Sequence, residues 1–147
     1  MTNPADQRAF IDKAIKIVRD LRVMFDARAQ AMGLTYSRGR ALAVIARNEG
    51  STQRELAELL DIETPSLKRL LDGLETSGFI DRRAVEGDRR ANSIRLTEGA
   101  RDQADTILDF MADMRGQVFD GIPPEEIATA QDVLDRVLAN IRRMRQE

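Results

Sequence analysis

The sequence predicts a mainly α fold of about six helices with one small β-hairpin. Three observations carry that expectation. Apolar residues recur at steps of three and four along six segments, the spacing of one helix face. Two of these segments, in the middle of the chain, are short and joined by the tight turn Asp61-Ile62-Glu63. Directly after them come two strand-length runs around the turn residues Gly87 and Asp88.

The elements follow in order. Residues 6–32 read as a first helix with Phe10, Ala14, Ile17, Val18, Leu21, Met24, Phe25 and Met32 on one stripe, and Gly33 as its stop. A second helix runs from about Thr35 to Asn48, with Leu42, Ile45 and Ala46 facing inward. Gly39 inside it costs about 1 kcal/mol relative to Ala. With Ala41 and Ala43 it makes a small-residue patch, so either another backbone packs close or a space is left. The third helix opens on Thr52-Gln53-Arg54-Glu55, a capping box, and buries Leu56, Leu59 and Leu60. In the fourth, Thr64 is the expected N-cap, Pro65 the first helical residue, and Leu67, Leu70, Leu71 and Leu74 the inner stripe. It ends at Ser77-Gly78.

The hairpin is expected to pair Phe79–Ala84 with Ser93–Leu96 across a loop from Val85 to Asn92. Thr97 then caps a fifth helix reaching about Phe119, and Gly121-Ile122-Pro123-Pro124 breaks the chain. A sixth helix carries Glu125 and Glu126 in its first turn, favourable against the helix dipole. Its stripe is Ile127, Val133, Leu134, Val137, Leu138, Ile141 and Met144, with Arg142, Arg143 and Arg145 at its end.

Composition bounds the function. With 147 residues the chain fits one domain, marginal in its core if monomeric. Cysteine and histidine are both absent, which excludes disulfides, thiol redox sensing, thiolate nucleophiles and imidazole bases, and disfavours zinc, copper or haem sites. No loop has the EF-hand spacing, and the carboxylates are scattered on helix faces rather than paired in a cleft. Neither an enzyme nor a cofactor protein is expected, and the metal site left open by this composition is a carboxylate-only magnesium or calcium site. No apolar run is long enough to span a membrane, and Met1 to Phe10 is polar without a signal-like apolar stretch, so a cytoplasmic protein is the expectation.

Net charge is −2, but its distribution matters more than its sum. Of the 23 basic residues all but Lys13, Lys16 and Lys68 are arginine, the better fork for phosphates and base edges. From Arg82 to Arg95, five arginines stand against Glu86 and Asp88, a local +3.

The two short central helices form a helix-turn-helix, whose second helix is sized for the major groove of B-DNA. Its leading residues Thr64, Pro65 and Ser66 are followed by the cations Lys68 and Arg69. Thr52 and Gln53, at the start of the helix before it, are further DNA-binding candidates. Asp88, Arg89 and Arg90 lie at the hairpin tip, where arginine can enter a narrow minor groove and the carboxylate can fix one guanidinium. Arg82, Arg83 and Arg95 in the strands are candidates for phosphates. Each feature also has a structural reading: a solvated Arg-Arg turn, or two core helices. A winged-helix protein-interaction module without DNA binding stays open beside the DNA reading, on the acidic net charge and Glu63.

The run from Leu56 to Leu67, then Leu74-Glu75-Thr76-Ser77-Gly78-Phe79-Ile80, Asp88-Arg89-Arg90 and Leu96-Thr97-Glu98-Gly99-Ala100, resembles the MarR family of bacterial regulators, in particular its SlyA-like branch. The resemblance spans nearly the whole chain and implies a homodimer of two winged helix-turn-helix lobes on a helical base. That places residues 35–97 in the DNA-binding region, and 1–34 with 98–147 in the dimerisation region. It further implies a repressor acting on palindromic double-stranded DNA operators and released by a small anionic aromatic effector. Wing and recognition-helix roles carry over to Arg89, Arg90, Thr64, Ser66, Lys68 and Arg69, and Asp88 becomes the wing-orienting acid. By the same resemblance Arg19 and Arg22 would meet an effector carboxylate, with Gly39 and Ala43 lining an apolar space. The stripes on the first, fifth and sixth helices support the dimer independently, because together they exceed what a small wing domain could cover.

Overall fold

The computed structural model describes residues 1–146, apart from the side chains of residues 88–91. Its elements are α1 (Pro4–Ala29), α2 (Tyr36–Arg47), β1 (Ser51–Thr52), α3 (Gln53–Leu60), α4 (Thr64–Thr76), β2 (Ile80–Val85), β3 (Asp88–Leu96), α5 (Arg101–Val118) and α6 (Pro124–Met144). Short 3-10 turns follow α1 at Gln30–Met32 and precede α5 at Glu98–Ala100. The expected mainly α fold with a small hairpin is what forms. No helix among the described residues is long and apolar enough to cross a membrane.

The three strands make one antiparallel sheet in the order β1-β3-β2. Ser51 pairs with Ile94 on one side of β3, and Arg82 pairs with the same residue on the other. The two-residue strand β1 has no apolar pattern of its own, so the sequence does not announce it. The hairpin is also longer than expected. Its strands run to Val85 and from Asp88, leaving Glu86-Gly87 as the turn, with a register shift between Ala84 and Val85. Alternating hydrophobicity signals burial, and this outer part has none: Ala84 and Asn92, which face each other, are both exposed. Ladder hydrogen bonds alone extend the strands there, so Asp88, Arg89 and Arg90 belong to a strand backbone, while their side chains lie outside the described residues.

Two helices end in the same way. After α1, Gly33 takes a left-handed φ of 69°, and Leu34 N–H reaches back to the Ala29 carbonyl. After α4, Gly78 does likewise at φ 80°, with Phe79 N–H on the Leu74 carbonyl. These are Schellman exits, which absorb carbonyls that the helix would otherwise leave unpaired.

The chain divides into two compact units, Met1–Met111 and Ala112–Glu147. Packing therefore groups α1 and the start of α5 with the central helices and the sheet, a division that differs from the expected functional one. The first unit holds a packed core. Phe25, Leu42, Ile45, Leu56, Leu67, Leu71, Leu74, Ile80, Ile94 and Ile107 are fully buried. Three residues expected on the inner faces of α2–α4 are not buried in it: Leu59 is 54% exposed, with Ala57 in its place beside Leu56 and Leu60, and Ala46 and Leu70 are half-buried. On α1 only Phe25 and Ala29 are buried, so most of its predicted stripe faces outward. In the second unit every residue of α6 is exposed or half-buried.

Candidate nucleic-acid interface

The site begins with the turn between α3 and α4. Thr52 Oγ1 accepts the Glu55 N–H at 3.2 Å, closing the first turn of α3 as its sequence predicts. At the other end Asp61 adopts a left-handed φ of 51°, and Ile62 N–H bonds the Ala57 carbonyl. Aspartate tolerates this conformation better than most residues, so the third Schellman exit in the chain needs no glycine. The turn is thereby fixed, and α4 leaves it at a defined angle.

α4 starts one residue earlier than expected. The Glu63 carbonyl accepts the Leu67 N–H at 3.0 Å, which makes Glu63 the N-cap, Thr64 the first helical residue and Pro65 the second. The Glu63 side chain makes no capping bond. Its negative charge still lies at the positive end of the helix dipole, so the residue that seemed to argue against DNA has a place in the helix start. The Thr64 hydroxyl is consequently released from capping.

Leu67, Leu71 and Leu74 hold α4 on the core. The opposite face then carries Thr64, Pro65, Ser66, Lys68 and Arg69 in its first half, all exposed. Among the described residues neither Lys68 nor Arg69 is engaged in an ion pair. Five of the sequence-predicted residues therefore share one exposed helix face. Thr52 and Gln53 are half-buried at the junction of β1 and α3, and the Thr52 hydroxyl serves the cap.

The strand arginines behave differently from one another. Arg83 is exposed, with its Nε 3.5 Å from Asp81 Oδ1. Arg95 lies over Gly50, whose missing side chain gives the guanidinium its place: a Cβ there would sit 3.1 Å from Arg95 Nη2. Arg82, expected at a phosphate, is turned inward. Its Nη2 is 2.8 Å from Asp72 Oδ1 and its Nε 3.5 Å from Glu75 Oε2, and its side chain is only 20% exposed. Sequence alone does not assign Asp72 and Glu75 this role, because nothing in their spacing points to a strand that follows in the chain.

Three further contacts hold this frame, and none is legible in the sequence. The Thr97 hydroxyl donates to the Gly78 carbonyl at 2.6 Å, so it ties the end of β3 to the end of α4 and caps no helix. Glu49 accepts the Leu96 N–H at 3.0 Å and pairs with Arg101 at 3.1 Å. Arg38 of α2 lies flat on α4, where a Cβ at Gly73 would come within 2.7 Å of its guanidinium.

The four expected effector residues do not form one cavity. Arg19 and Arg22 line a shallow hollow on α1 with Ala14, Ile15 and Val18. Gly39 and Ala43 are buried on α2. The space that Gly39 leaves is occupied, since a Cβ there would lie 2.6 Å from Phe25 Cζ. Phe25 in turn meets Tyr36 edge-on at 5.8 Å and Phe110 at 5.6 Å, and the Arg28 guanidinium stands 5.3 Å from the Phe110 ring centre. An aromatic cluster therefore packs into the space beside Gly39.

Residues 32–91, from the 3-10 turn after α1 into β3, match the MarR family model. The solved transcriptional regulator PA3341 is 40% identical, with 91% of this chain and 98% of that one covered at a TM-score of 0.77. The chain belongs to the MarR family of transcriptional regulators. A MarR-family regulator from Silicibacter pomeroyi is 28% identical, covering 86% of this chain and 85% of that one at a TM-score of 0.70. MepR of S. aureus, solved as a DNA complex, is 20% identical and covers 86% of this chain and 91% of that one at 0.78, a likeness of fold. In family terms the β2–β3 hairpin is the wing.

Proposed function

We propose that this regulator binds double-stranded DNA in a sequence-specific way as a homodimer, with α4 in the major groove and the wing beside it. The observation that carries the reading is the face of α4. Its leucines are committed to the core, while Thr64, Ser66, Lys68 and Arg69 are exposed, and the two cations are free of ion pairs among the described residues. Small hydroxyls and unpaired cations at the front of a groove-sized helix are the groups that reach base edges and phosphates. The MepR–DNA complex supports it as a relative of the same fold. Asp88, Arg89 and Arg90 complete the wing's part, with Arg83 and Arg95 as flanking phosphate contacts and Thr52 and Gln53 at the start of α3.

The dimer rests on two apolar surfaces that stay exposed among the described residues. α6 exposes Leu134, Leu138 and Ile141 at helical spacing, and α1 exposes Phe10, Ile17 and Met24. A second copy is the cover that a two-fold symmetric assembly supplies. The resulting twin recognition helices suit a palindromic operator, and repression follows by occupying it. Cytoplasmic action at the chromosome fits this reading. Where a small anionic effector modulates binding, Arg19 and Arg22 on the α1 hollow are its carboxylate partners, and Phe25 leaves it no room at Gly39.

The test is binding to the DNA upstream of the protein's own coding sequence, followed by fluorescence anisotropy across a salt series. Wild type binds with a preference over scrambled DNA. Lys68→Ala with Arg69→Ala weakens binding by about 1–3 kcal/mol per side chain that reads a base, or lowers the salt slope by about 1 per side chain that meets a phosphate. Equal affinity for scrambled DNA, or indifference to the double substitution, sinks the assignment of α4.

A further inference from the structure

We propose that Arg82 serves DNA recognition without touching DNA, as a positioning residue that neutralises Asp72 and Glu75 on α4 and clasps the wing to that helix. The inference rests on the DNA-binding reading above and assigns Arg82 a different role within it.

The outward face of α4 changes sign along its length. Lys68 and Arg69 stand in the first half, and Asp72 and Glu75 in the second, all exposed. Carboxylates one turn beyond the base-reading cations would face a groove lined by phosphates on both sides. Left alone, they oppose the docking that Lys68 and Arg69 favour. Asp72 and Glu75 are three residues apart, so they are neighbours on the helix surface. One planar guanidinium can bridge such a pair, with one edge to each carboxylate, where an ammonium would serve as a single point charge.

Arg82 sits where that bridge requires. It is the third residue of β2 and pairs across the sheet with Ile94, which is fully buried at the centre of the first unit. Its side chain is four-fifths buried, so it is shielded from any phosphate. It already meets Asp72 at 2.8 Å and Glu75 at 3.5 Å. The Nε has no hydrogen-bond partner, and so reaches Glu75 through charge at that longer distance. Two consequences follow. The pair of negative charges on α4 is reduced to one, and the carboxylates are drawn toward the sheet and away from the groove. The base of the wing is also fastened to the recognition helix, so the two DNA-contacting elements keep one relative position.

Affinity and salt dependence in three backgrounds test this. Arg82→Met in the wild-type chain is expected to weaken operator binding by about tenfold with an unchanged salt slope, since the arginine meets no phosphate. In an Asp72→Asn, Glu75→Gln background the same change is expected to cost less than about threefold, because the charges needing neutralisation are gone. Arg82→Lys, which keeps the charge and loses the fork, is expected to bind about threefold more weakly while its thermal melt stays near wild type. An arginine that meets a phosphate gives the opposite pattern: the slope falls by about 0.9, the loss is equal in both backgrounds, and lysine substitutes freely. Any of those three results overturns the clasp. A purely structural role would move the melts together with the affinities and would not be rescued by removing the carboxylates, which overturns it too. If wild type binds no DNA, the DNA-binding reading fails and takes this proposal with it; if wild type binds and the rescue is absent, this proposal alone fails.

Discussion

α4 and α6 carry apolar stripes of nearly equal strength, yet they end in opposite situations. On α4 the stripe is spent inside the chain, with Leu67, Leu71 and Leu74 fully buried. What remains outside is polar and cationic. On α6 the stripe is left uncovered among the described residues, and Leu134, Leu138 and Ile141 each stay about 45% exposed. Periodicity declares that a face is to be buried, but it does not declare by what. The free face of each helix is what it offers a partner: hydrogen bonders and charge on α4, apolar surface on α6. The difference separates the helix proposed to read DNA from one proposed to join two copies.

The sharpest way to break that comparison is to disrupt each stripe in turn. Leu138→Glu is expected to leave each chain's own core intact and convert the dimer to monomer in sedimentation, because a carboxylate would have to be desolvated at the interface. Operator affinity should fall by more than about 100-fold, since one recognition helix then binds without its twin. Leu71→Ala is the matched control. It should lower unfolding stability by about 2–5 kcal/mol through a cavity in the core, at any protein concentration. A Leu138→Glu protein that remains dimeric would mean that the α6 stripe is not the interface.

How much of this is legible in the sequence follows the same division. Helix number, order and approximate ends are readable, because Thr52, Gly33 and Gly78 act through local geometry that the sequence states directly. The exposed half of α4 is readable for the same reason. Contacts between segments distant in sequence are not. The Asp72–Arg82–Glu75 clasp, Glu49 on Leu96 and Arg101, and Thr97 on Gly78 all join elements whose proximity only the fold creates. The outer wing reads as a loop because an extended strand without a core beneath it leaves no hydrophobic alternation. Thr97 reads as a cap because a hydroxyl before a helix usually serves one, whereas here its proton goes to a carbonyl at the far end of α4.

Two glycines sharpen the comparison at smaller scale, because both lie inside helices of the first unit and both make room for a side chain. At Gly39 the intruder is the ring of Phe25, which is fully buried and held by Tyr36 and Phe110. At Gly73 it is the end of Arg38, a flexible side chain that is only half-buried. Alanine has the better helix propensity at both sites, by about 1 kcal/mol. Gly39→Ala should nonetheless destabilise, since overpacking a fixed ring costs about 1–3 kcal/mol. Gly73→Ala should be neutral or slightly stabilising as Arg38 swings aside. Thermal melts of the two variants check this, and equal shifts would mean that Phe25 is freer to move than its packing implies.

The smallest effect lies on the surface of α1, where no core is at stake. Lys16 Nζ donates to Asp20 Oδ2 at 2.6 Å, one helical turn apart on an exposed face. That hydrogen bond, helped by the charges of Lys16 and Arg19, holds the Asp20 carboxyl below its ordinary value of 3.8. A lowered folded-state value means the interaction contributes to stability above the unfolded carboxyl's pKa and is lost as pH falls through the folded one. Both groups are solvated, so the contribution is of the size of exposed helix pairs and shrinks with added salt. Carboxyl titration by NMR should place Asp20 below its ordinary value of 3.8. Lys16→Met should raise it toward that value while leaving dimer and operator binding unchanged. A value for Asp20 that also moved with protein concentration would extend the subunit contact from the apolar stripe of α1 to its charged flank, and so redraw the boundary between the face that meets a partner and the face that meets water.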